Sequence, residues 1–140
     1  MSRVFWDTNL FIYLFEEYGK FSKTVIELRE RMLARGDQLL TSTLTLGEVL
    51  VKPGERGDTD LVRKYEEAMV RTCTLLSFDL RAARAYATIR CDRGIRPPDA
   101  VQLASAASVG VDLFVTNDHR LQGKHVAGIQ FIAPIDRVPI

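Results

Sequence analysis

Four acidic side chains occupy positions from which carboxylates can reach a shared site. Asp7 ends an apolar run near the start of the chain, and Asp118 follows a second apolar run. Asp99 comes directly after two prolines, where a helix can begin, and Glu48 falls among apolar residues with helical spacing. Open α/β sheets bind their ligands at the carboxyl ends of parallel strands. We therefore expect the four acids to meet at one edge of one sheet.

Together the four acids predict a binding site for a hard divalent cation. Carboxylates held close together repel, so at least one takes up a proton unless a cation neutralises them. Mg²⁺ and Mn²⁺ take oxygen ligands, and no His or Cys stands at the four positions to favour zinc. Such an ion activates water and polarises phosphate, which predicts phosphodiester hydrolysis with Asp7, Asp99 and Asp118 as direct or water-mediated ligands. One ion or two, and Glu48 as a ligand or as a general base, stay open.

Each acid taken alone has an ordinary structural role. An Asp at a helix start is commonly an N-cap, which applies to Asp99 and Asp118, and a single Glu such as Glu48 usually lies solvated on a helix. Asp7 is harder to explain in this way, because a carboxylate that ends an apolar strand needs a partner. The catalytic interpretation therefore depends on all four acids reaching the same edge.

The elements that position these acids alternate between strands and helices. Short apolar runs predict strands at about 3–6, 38–42, 73–78, 112–116 and 129–133. Helical spacing predicts helices at about 8–18, 22–35, around Glu48, at 59–71, after Asp79 and at 98–109. Pro and two Gly between Lys52 and Asp58 predict a surface loop there. The alternation indicates an α/β fold with a parallel sheet of about five strands and right-handed crossovers.

Composition limits the class of protein. The 140 residues, 46% hydrophobic and 26% charged, suit one globular domain over 1–140, and a net charge of +1 does not identify a partner. Cys73 and Cys91 lack CxxC spacing, which argues against zinc and a disulfide framework and favours reduced thiols in the cytoplasm. The longest apolar stretches are too short for a signal peptide or a membrane span, so we expect neither export nor a membrane partner.

The motifs around the acids resemble those of PIN-domain ribonucleases, most closely the VapC-type toxins of toxin-antitoxin pairs. The resemblance covers nearly the whole chain and implies a three-layer α/β/α sandwich around a central parallel sheet. It rests on Asp7-Thr8-Asn9 after the first strand, Glu48 in Thr45-Leu46-Gly47-Glu48-Val49, Asp99 in Pro98-Asp99-Ala100-Val101-Gln102-Leu103-Ala104, and Thr116-Asn117-Asp118 after the fourth strand.

The resemblance implies a Mg²⁺- or Mn²⁺-dependent endoribonuclease, often a homodimer, silenced by a cognate antitoxin whose C-terminal segment lies across the active-site groove. Its catalytic and metal-binding acids would be Asp7, Glu48, Asp99 and Asp118. Four neighbours would orient these acids or fix the backbone, namely Thr8, Asn9, Thr116 and Asn117. Some family members carry a further acid just beyond the fourth, where this chain has His119, so the strength of a second metal site stays open.

Basic residues near the acids are candidates for contact with RNA. Arginine matches phosphate bidentately, although a solvated helix face with local ion pairs is the ordinary alternative for any one of them. Arg96 is the strongest candidate, because a proline-stiffened turn places it near Asp99. The other candidates are Arg93 before the third acid, Lys52 and Arg56 after the second, and His119 beside the fourth.

Other functions compete with this interpretation. A dinucleotide-binding fold needs a glycine-rich turn where the chain has Asp7-Thr8-Asn9, and a haloacid-dehalogenase-type phosphatase needs an acid in place of Asn9. A housekeeping RNA-processing nuclease with the PIN fold remains an alternative, as does a non-catalytic module of this fold that binds RNA or protein. The RNA target, the cleavage site and the antitoxin are not specified by the sequence.

Overall fold

The chain folds around a five-stranded sheet whose strands are all parallel. A computed structural model describes residues 1–140 and places the strands at β1 Arg3–Trp6, β2 Gln38–Ser42, β3 Thr74–Leu76, β4 Val111–Thr116 and β5 Ile129–Pro134. Their spatial order is β3-β2-β1-β4-β5. The chain therefore leaves β1 in one direction for β2 and β3 and returns to the other side for β4 and β5. The carboxyl ends of β1 and β4 form the switch point at which such sheets bind ligands.

Six helices cover the two faces of this sheet. They are α1 Thr8–Phe15, α2 Lys20–Arg35, α3 Thr43–Glu55, α4 Thr59–Thr72, α5 Leu80–Ile89 and α6 Pro97–Val109. One core contains apolar residues of α1 to α4, and the other contains residues of α5 and α6. Side chains of β1 alternate between them, with Val4 and Trp6 in the first core and Phe5 in the second. The predicted α/β/α sandwich with a five-stranded parallel sheet is confirmed.

Strands β1 and β4, which are neighbours in the sheet, are held rigidly against each other. Val4, Phe5 and Trp6 are fully buried, and the Phe5 ring stacks on Phe114 of β4 at 5.1 Å between ring centroids. Beyond the last residue of β1, the Asp7 N–H still donates to the Val115 carbonyl at 3.0 Å. The backbone that carries Asp7 is therefore fixed by the sheet itself. No helix of the structure combines the length and apolar character that crossing a membrane requires.

The prediction of a surface loop between Lys52 and Asp58 is wrong for the first half of that segment. Residues up to Glu55 continue α3, and Pro53 lies buried within the last turn of that helix. The turn beyond it is closed by backbone bonds, with the Asp58 N–H donating to the Pro53 carbonyl at 3.0 Å and the Gly57 N–H donating to the Gly54 carbonyl at 3.1 Å. Burial of the proline ring and these bonds offset the helix N–H that proline lacks.

The first helix is shorter than predicted. It ends at Phe15, because Glu16 is extended (φ −122°, ψ 162°) while its N–H still bonds to the Ile12 carbonyl. The Ser22 hydroxyl then donates to the Glu16 carbonyl and accepts the Tyr18 N–H, both at 2.9 Å. These bonds give partners to the Glu16 carbonyl and the Tyr18 N–H in the turn that leads into α2. Strand β3 is also shorter than the predicted 73–78, with three residues.

Gly128 offers a test of how closely α6 approaches the strand layer. Its φ is +97°, and a Cβ at this position would lie 2.5 Å from the carbonyl oxygen of Ala107 in α6. Gly123 also has a positive φ, +82°, but nothing lies within 4 Å of its Cβ position. Gly128→Ala should lower the free energy of unfolding by about 2–4 kcal/mol, from backbone strain plus overpacking. Gly123→Ala should lower it by about 1–2 kcal/mol, from strain alone.

Urea denaturation of the two variants beside the unchanged protein measures this difference. Equal losses of stability in the two variants would show that α6 yields at Ala107 and that the close approach does not constrain the sheet.

Candidate active site

The four predicted acids line one cleft of about 270 Å³, which we call the acid cleft. Asp7 comes from the end of β1 and Asp118 from the segment after β4, while Glu48 projects from α3 and Asp99 from the first turn of α6. The remaining residues of the lining are Thr8, Asn9, Ile12, Pro98 and Gln102. The structure therefore brings together acids from four separate elements at the switch point of the sheet.

Asp7 is the most deeply placed of these acids, with 8% of its surface exposed. Its Oδ1 accepts the Thr8 N–H at 2.9 Å, and its Oδ2 accepts the Thr116 hydroxyl at 2.7 Å. Burial raises the pKa of Asp7 to about 6, the two hydrogen bonds oppose this rise, and the charges of Asp99 and Glu48 add to it. Burial and the neighbouring acids therefore make the ionised form of Asp7 unfavourable, and a bound cation would stabilise its charge.

Two of the other acids are paired with arginines. Arg120 binds Asp118 through both carboxylate oxygens, with Nη2 to Oδ2 at 2.7 Å and Nε to Oδ1 at 3.0 Å. This contact holds the pKa of Asp118 below its ordinary value. Arg96 lies 3.5 Å from Asp99, between Nε and Oδ2. Sequence reasoning selected Arg96 but missed Arg120, for which the only signal was a basic residue two positions after the fourth acid.

The donors of the acid cleft are suited to a hard cation, since its four acids offer only oxygen atoms. In the arrangement described, no three His, Cys, Asp or Glu side chains are grouped tightly enough to hold a metal ion. The carboxylates of Asp118 and Asp99 form ion pairs with arginines instead. To bind an ion there, Asp99 and Asp118 would have to leave their arginines and contact the cation instead. The charge of the cation would also offset the repulsion between Asp7 and the neighbouring acids.

A buried amide organises the polar side chains beneath the cleft. Gln102, 3% exposed, donates through Nε2 to the hydroxyls of Thr45 at 2.7 Å and Thr8 at 3.0 Å. Its Oε1 accepts the hydroxyl of Ser42. Thr8 in turn donates its hydroxyl to Oε1 of Glu48 at 2.7 Å. This network links α6 to α1 and α3 and orients Glu48, a role for Gln102 that the sequence pattern did not indicate.

The predicted supporting residues have different surroundings. Thr116 contacts two acids, because its hydroxyl donates to Asp7 and accepts the Asp118 N–H at 3.0 Å. Asn9 lines the cleft, and its Oδ1 is buried without a partner. Asn117 is not part of the lining of the acid cleft and donates through Nδ2 to the Tyr13 hydroxyl at 3.0 Å.

The predicted RNA-contacting residues are dispersed. Lys52 is paired with Glu16, at 3.3 Å between Nζ and Oε1. Arg56 and Arg93 are exposed and lie outside the lining of the acid cleft. His119 lines a separate cavity next to the acid cleft. Of the five candidates, only Arg96 contacts one of the four acids.

Comparison with known proteins identifies related sequences and folds. A family model described as the PIN domain matches residues 4–126. No curated protein sequence matches the chain significantly.

Three solved structures share the fold. VapBC2 from Rickettsia felis bound to a DNA fragment from its promoter has a TM-score of 0.74 at 14% identity, covering 94% of this chain and 97% of that one. DNA-bound VapBC from Salmonella typhimurium has a TM-score of 0.73 at 22% identity, covering 96% and 99%. A toxin-antitoxin complex from Klebsiella pneumoniae has a TM-score of 0.66 at 19% identity, covering 90% and 94%. At these identities the likeness shows the fold alone.

The raised pKa of Asp7 predicts a stabilising substitution. The native state binds this proton more tightly than the unfolded chain, since the pKa is about 6 in the folded protein against an ordinary value of 3.8. Stability from this group is therefore present below about pH 4 and is lost as pH rises through about 6. In metal-free buffer, Asp7→Asn should increase the free energy of unfolding at pH 7 by about 2–3 kcal/mol, with no gain at pH 4.

Urea denaturation from pH 4 to pH 8 measures this gain. Asp92→Asn is the control, because Asp92 lies outside the acid cleft and its contact with Lys124 lowers its pKa, so its substitution should give no gain in stability at any pH. A gain that is independent of pH would contradict the assignment of the strain to the Asp7 charge.

Proposed function

The chain belongs to the PIN-domain family, and we propose that it is a Mg²⁺- or Mn²⁺-dependent endoribonuclease, the toxin of a VapBC-type toxin-antitoxin pair. The observation that carries the proposal is the meeting of Asp7, Glu48, Asp99 and Asp118 in one cleft at the switch point of the sheet. Four carboxylates gathered from separate elements fit metal-assisted hydrolysis of a phosphodiester.

The side chains of the cleft have distinct roles in this reaction. Asp7, Asp99 and Asp118 would hold the divalent ion, which when bound would supply an activated water and neutralise phosphate charge. Glu48 accepts the proton of the attacking water at Oε2, since its Oε1 already accepts the Thr8 hydroxyl. Arg96 and Arg120, once released from their acids, bind the RNA phosphates.

The proposal includes two protein partners. An antitoxin partner is supported by the similar structures from Rickettsia felis, Salmonella typhimurium and Klebsiella pneumoniae, of which the last is described as a toxin-antitoxin complex. In the proposal this antitoxin covers the acid cleft. The second partner is another copy of this chain, and the two copies form a homodimer in the cytoplasm. A neighbouring gene for a small DNA-binding protein would favour the toxin over a housekeeping RNA-processing enzyme.

RNA cleavage tests the catalytic assignment. The protein should cleave RNA in Mg²⁺ or Mn²⁺ and lose this activity in chelator. Glu48→Gln should slow cleavage by about 10²- to 10⁴-fold, because the amide cannot accept the proton. Asp99→Asn should abolish detectable cleavage by removing a metal ligand. Gel analysis of end-labelled RNA measures the rates, with circular dichroism as a check on folding.

Asp92→Asn is the matched control for these substitutions, because Asp92 is an acid outside the cleft that pairs with Lys124. It should retain full activity. Cleavage that persists in chelator in the Asp99→Asn variant would assign the activity to a different mechanism or a contaminating nuclease. Binding of RNA without cleavage would favour the non-catalytic module.

Metal binding can be tested without RNA. A cation that binds only the folded state stabilises it by mass action, by about 2.7 kcal/mol at a concentration of 100 times Kd. For a chain of this length, Mn²⁺ should then raise Tm by roughly 5–10 °C. Differential scanning calorimetry should show this rise in the unchanged protein and in Asp92→Asn, but not in Asp99→Asn. An equal rise in all three proteins would locate the bound ion outside the acid cleft.

A further inference from the structure

A second cavity of about 250 Å³ lies beside the acid cleft. Its walls include Phe21 on α2, and Asn117, His119 and Gln122 from the connection between β4 and β5. The segment at 134–137 closes another side. The mechanism proposed above assigns no role to this cavity.

One wall of the second cavity is an aromatic ring held from behind. Phe21 is 44% exposed, and its ring stacks on that of Tyr13 with centroids 5.0 Å apart and an interplanar angle of 26°. Tyr18 supports Tyr13 in turn, at 5.4 Å between centroids. The Tyr13 hydroxyl accepts the amide of Asn117 at 3.0 Å. Phe21 is therefore both accessible and fixed in place, as a platform for stacking must be.

A second wall contains an unsatisfied amide. The Nε2 atom of Gln122 is buried and has no hydrogen-bond partner. A buried donor without a partner is unfavourable, so a ligand whose carbonyl oxygen or ring nitrogen met Nε2 after the Gln122 side chain turned toward the cavity would gain from this contact. Nucleobases carry such acceptors on their edges and a flat π-face for the aromatic wall.

The second cavity and the acid cleft meet at the end of β4. Asn117 lines the second cavity, and the next residue, Asp118, lines the acid cleft. Thr116, just before them, binds both Asp7 and the Asp118 backbone. A strand of RNA with one phosphate in the acid cleft would thus place a neighbouring nucleotide at the Asn117 wall of the second cavity.

We propose that the second cavity is a nucleobase subsite, in which one base next to the cleaved phosphodiester stacks on Phe21 and bonds to Gln122. This inference rests on the proposed function for the position of the RNA. The charged lining of the cavity is mixed, with Lys20 and Arg137 beside Asp136, so it lacks the purely basic lining of a site for phosphate alone. The subsite would select which sequences the enzyme cuts.

Binding of short single-stranded RNA tests the subsite. Fluorescently labelled hexanucleotides of A, C or U, and an abasic hexamer that keeps the sugars and phosphates, are titrated by anisotropy in Ca²⁺. The unchanged protein should bind at least one base-containing hexamer roughly 5- to 100-fold more tightly than the abasic hexamer. Phe21→Ala should remove this difference, and Phe21→Tyr should retain it. Gln122→Leu should change the order of preference among the bases.

Phe131→Ala is the control, because Phe131 is an exposed aromatic residue, 64% accessible, that lines neither cavity. It should leave the preference for base-containing RNA intact. The subsite is overturned if the unchanged protein binds abasic and base-containing hexamers equally, or binds none of them. It is equally overturned if the preference survives Phe21→Ala.

These outcomes are separate from those that bear on catalysis. A protein that shows base-dependent binding through Phe21 but no cleavage in Mn²⁺ keeps the subsite and loses the nuclease assignment. One that cleaves RNA without the Phe21-dependent preference keeps the nuclease assignment and loses the subsite.

Discussion

The buried charge of Asp7 is the constraint on which the site depends. The sheet fixes its backbone through Val115, and Thr8 and Thr116 occupy its two carboxylate oxygens. Burial and the neighbouring acids nevertheless raise its pKa to about 6. A carboxylate in this position lowers the stability of the free protein near neutral pH and gains most when a cation arrives. Stability given up at such a position is typical of functional sites.

The other acids are held in two different ways. Glu48 is oriented by neutral hydroxyls and the Gln102 amide, a buried network that has no charge to exchange. Asp118, by contrast, is held by the arginine Arg120, and Asp99 by Arg96. An arginine can pass from a carboxylate to a phosphate, whereas a buried amide network stays in place. The cleft therefore combines a rigidly held Glu48 carboxylate with two ion pairs that a bound cation or phosphate could rearrange.

The residues at the end of β4 connect the acid cleft to the second cavity. Thr116, Asn117 and Asp118 are consecutive, yet the first binds Asp7, the second holds Tyr13 and the third lines the acid cleft. The aromatic wall at Phe21 is thus positioned relative to the acids by the backbone of β4. A shift of that strand would alter the acid cleft and the second cavity together.

Local signals were sufficient to predict the sheet, its parallel strands and the meeting of the four acids in one cleft, because strand ends, helix starts and helical spacing are encoded by nearby residues. Where local signals conflicted, as at Pro53, the prediction was wrong, since burial of the proline ring within α3 outweighed the preference of proline for a helix end. The partners of the acids could not be read from the sequence. Gln102 reaches Thr8 across 94 positions, and such contacts depend on crossovers and strand register, which only the folded chain brings into being.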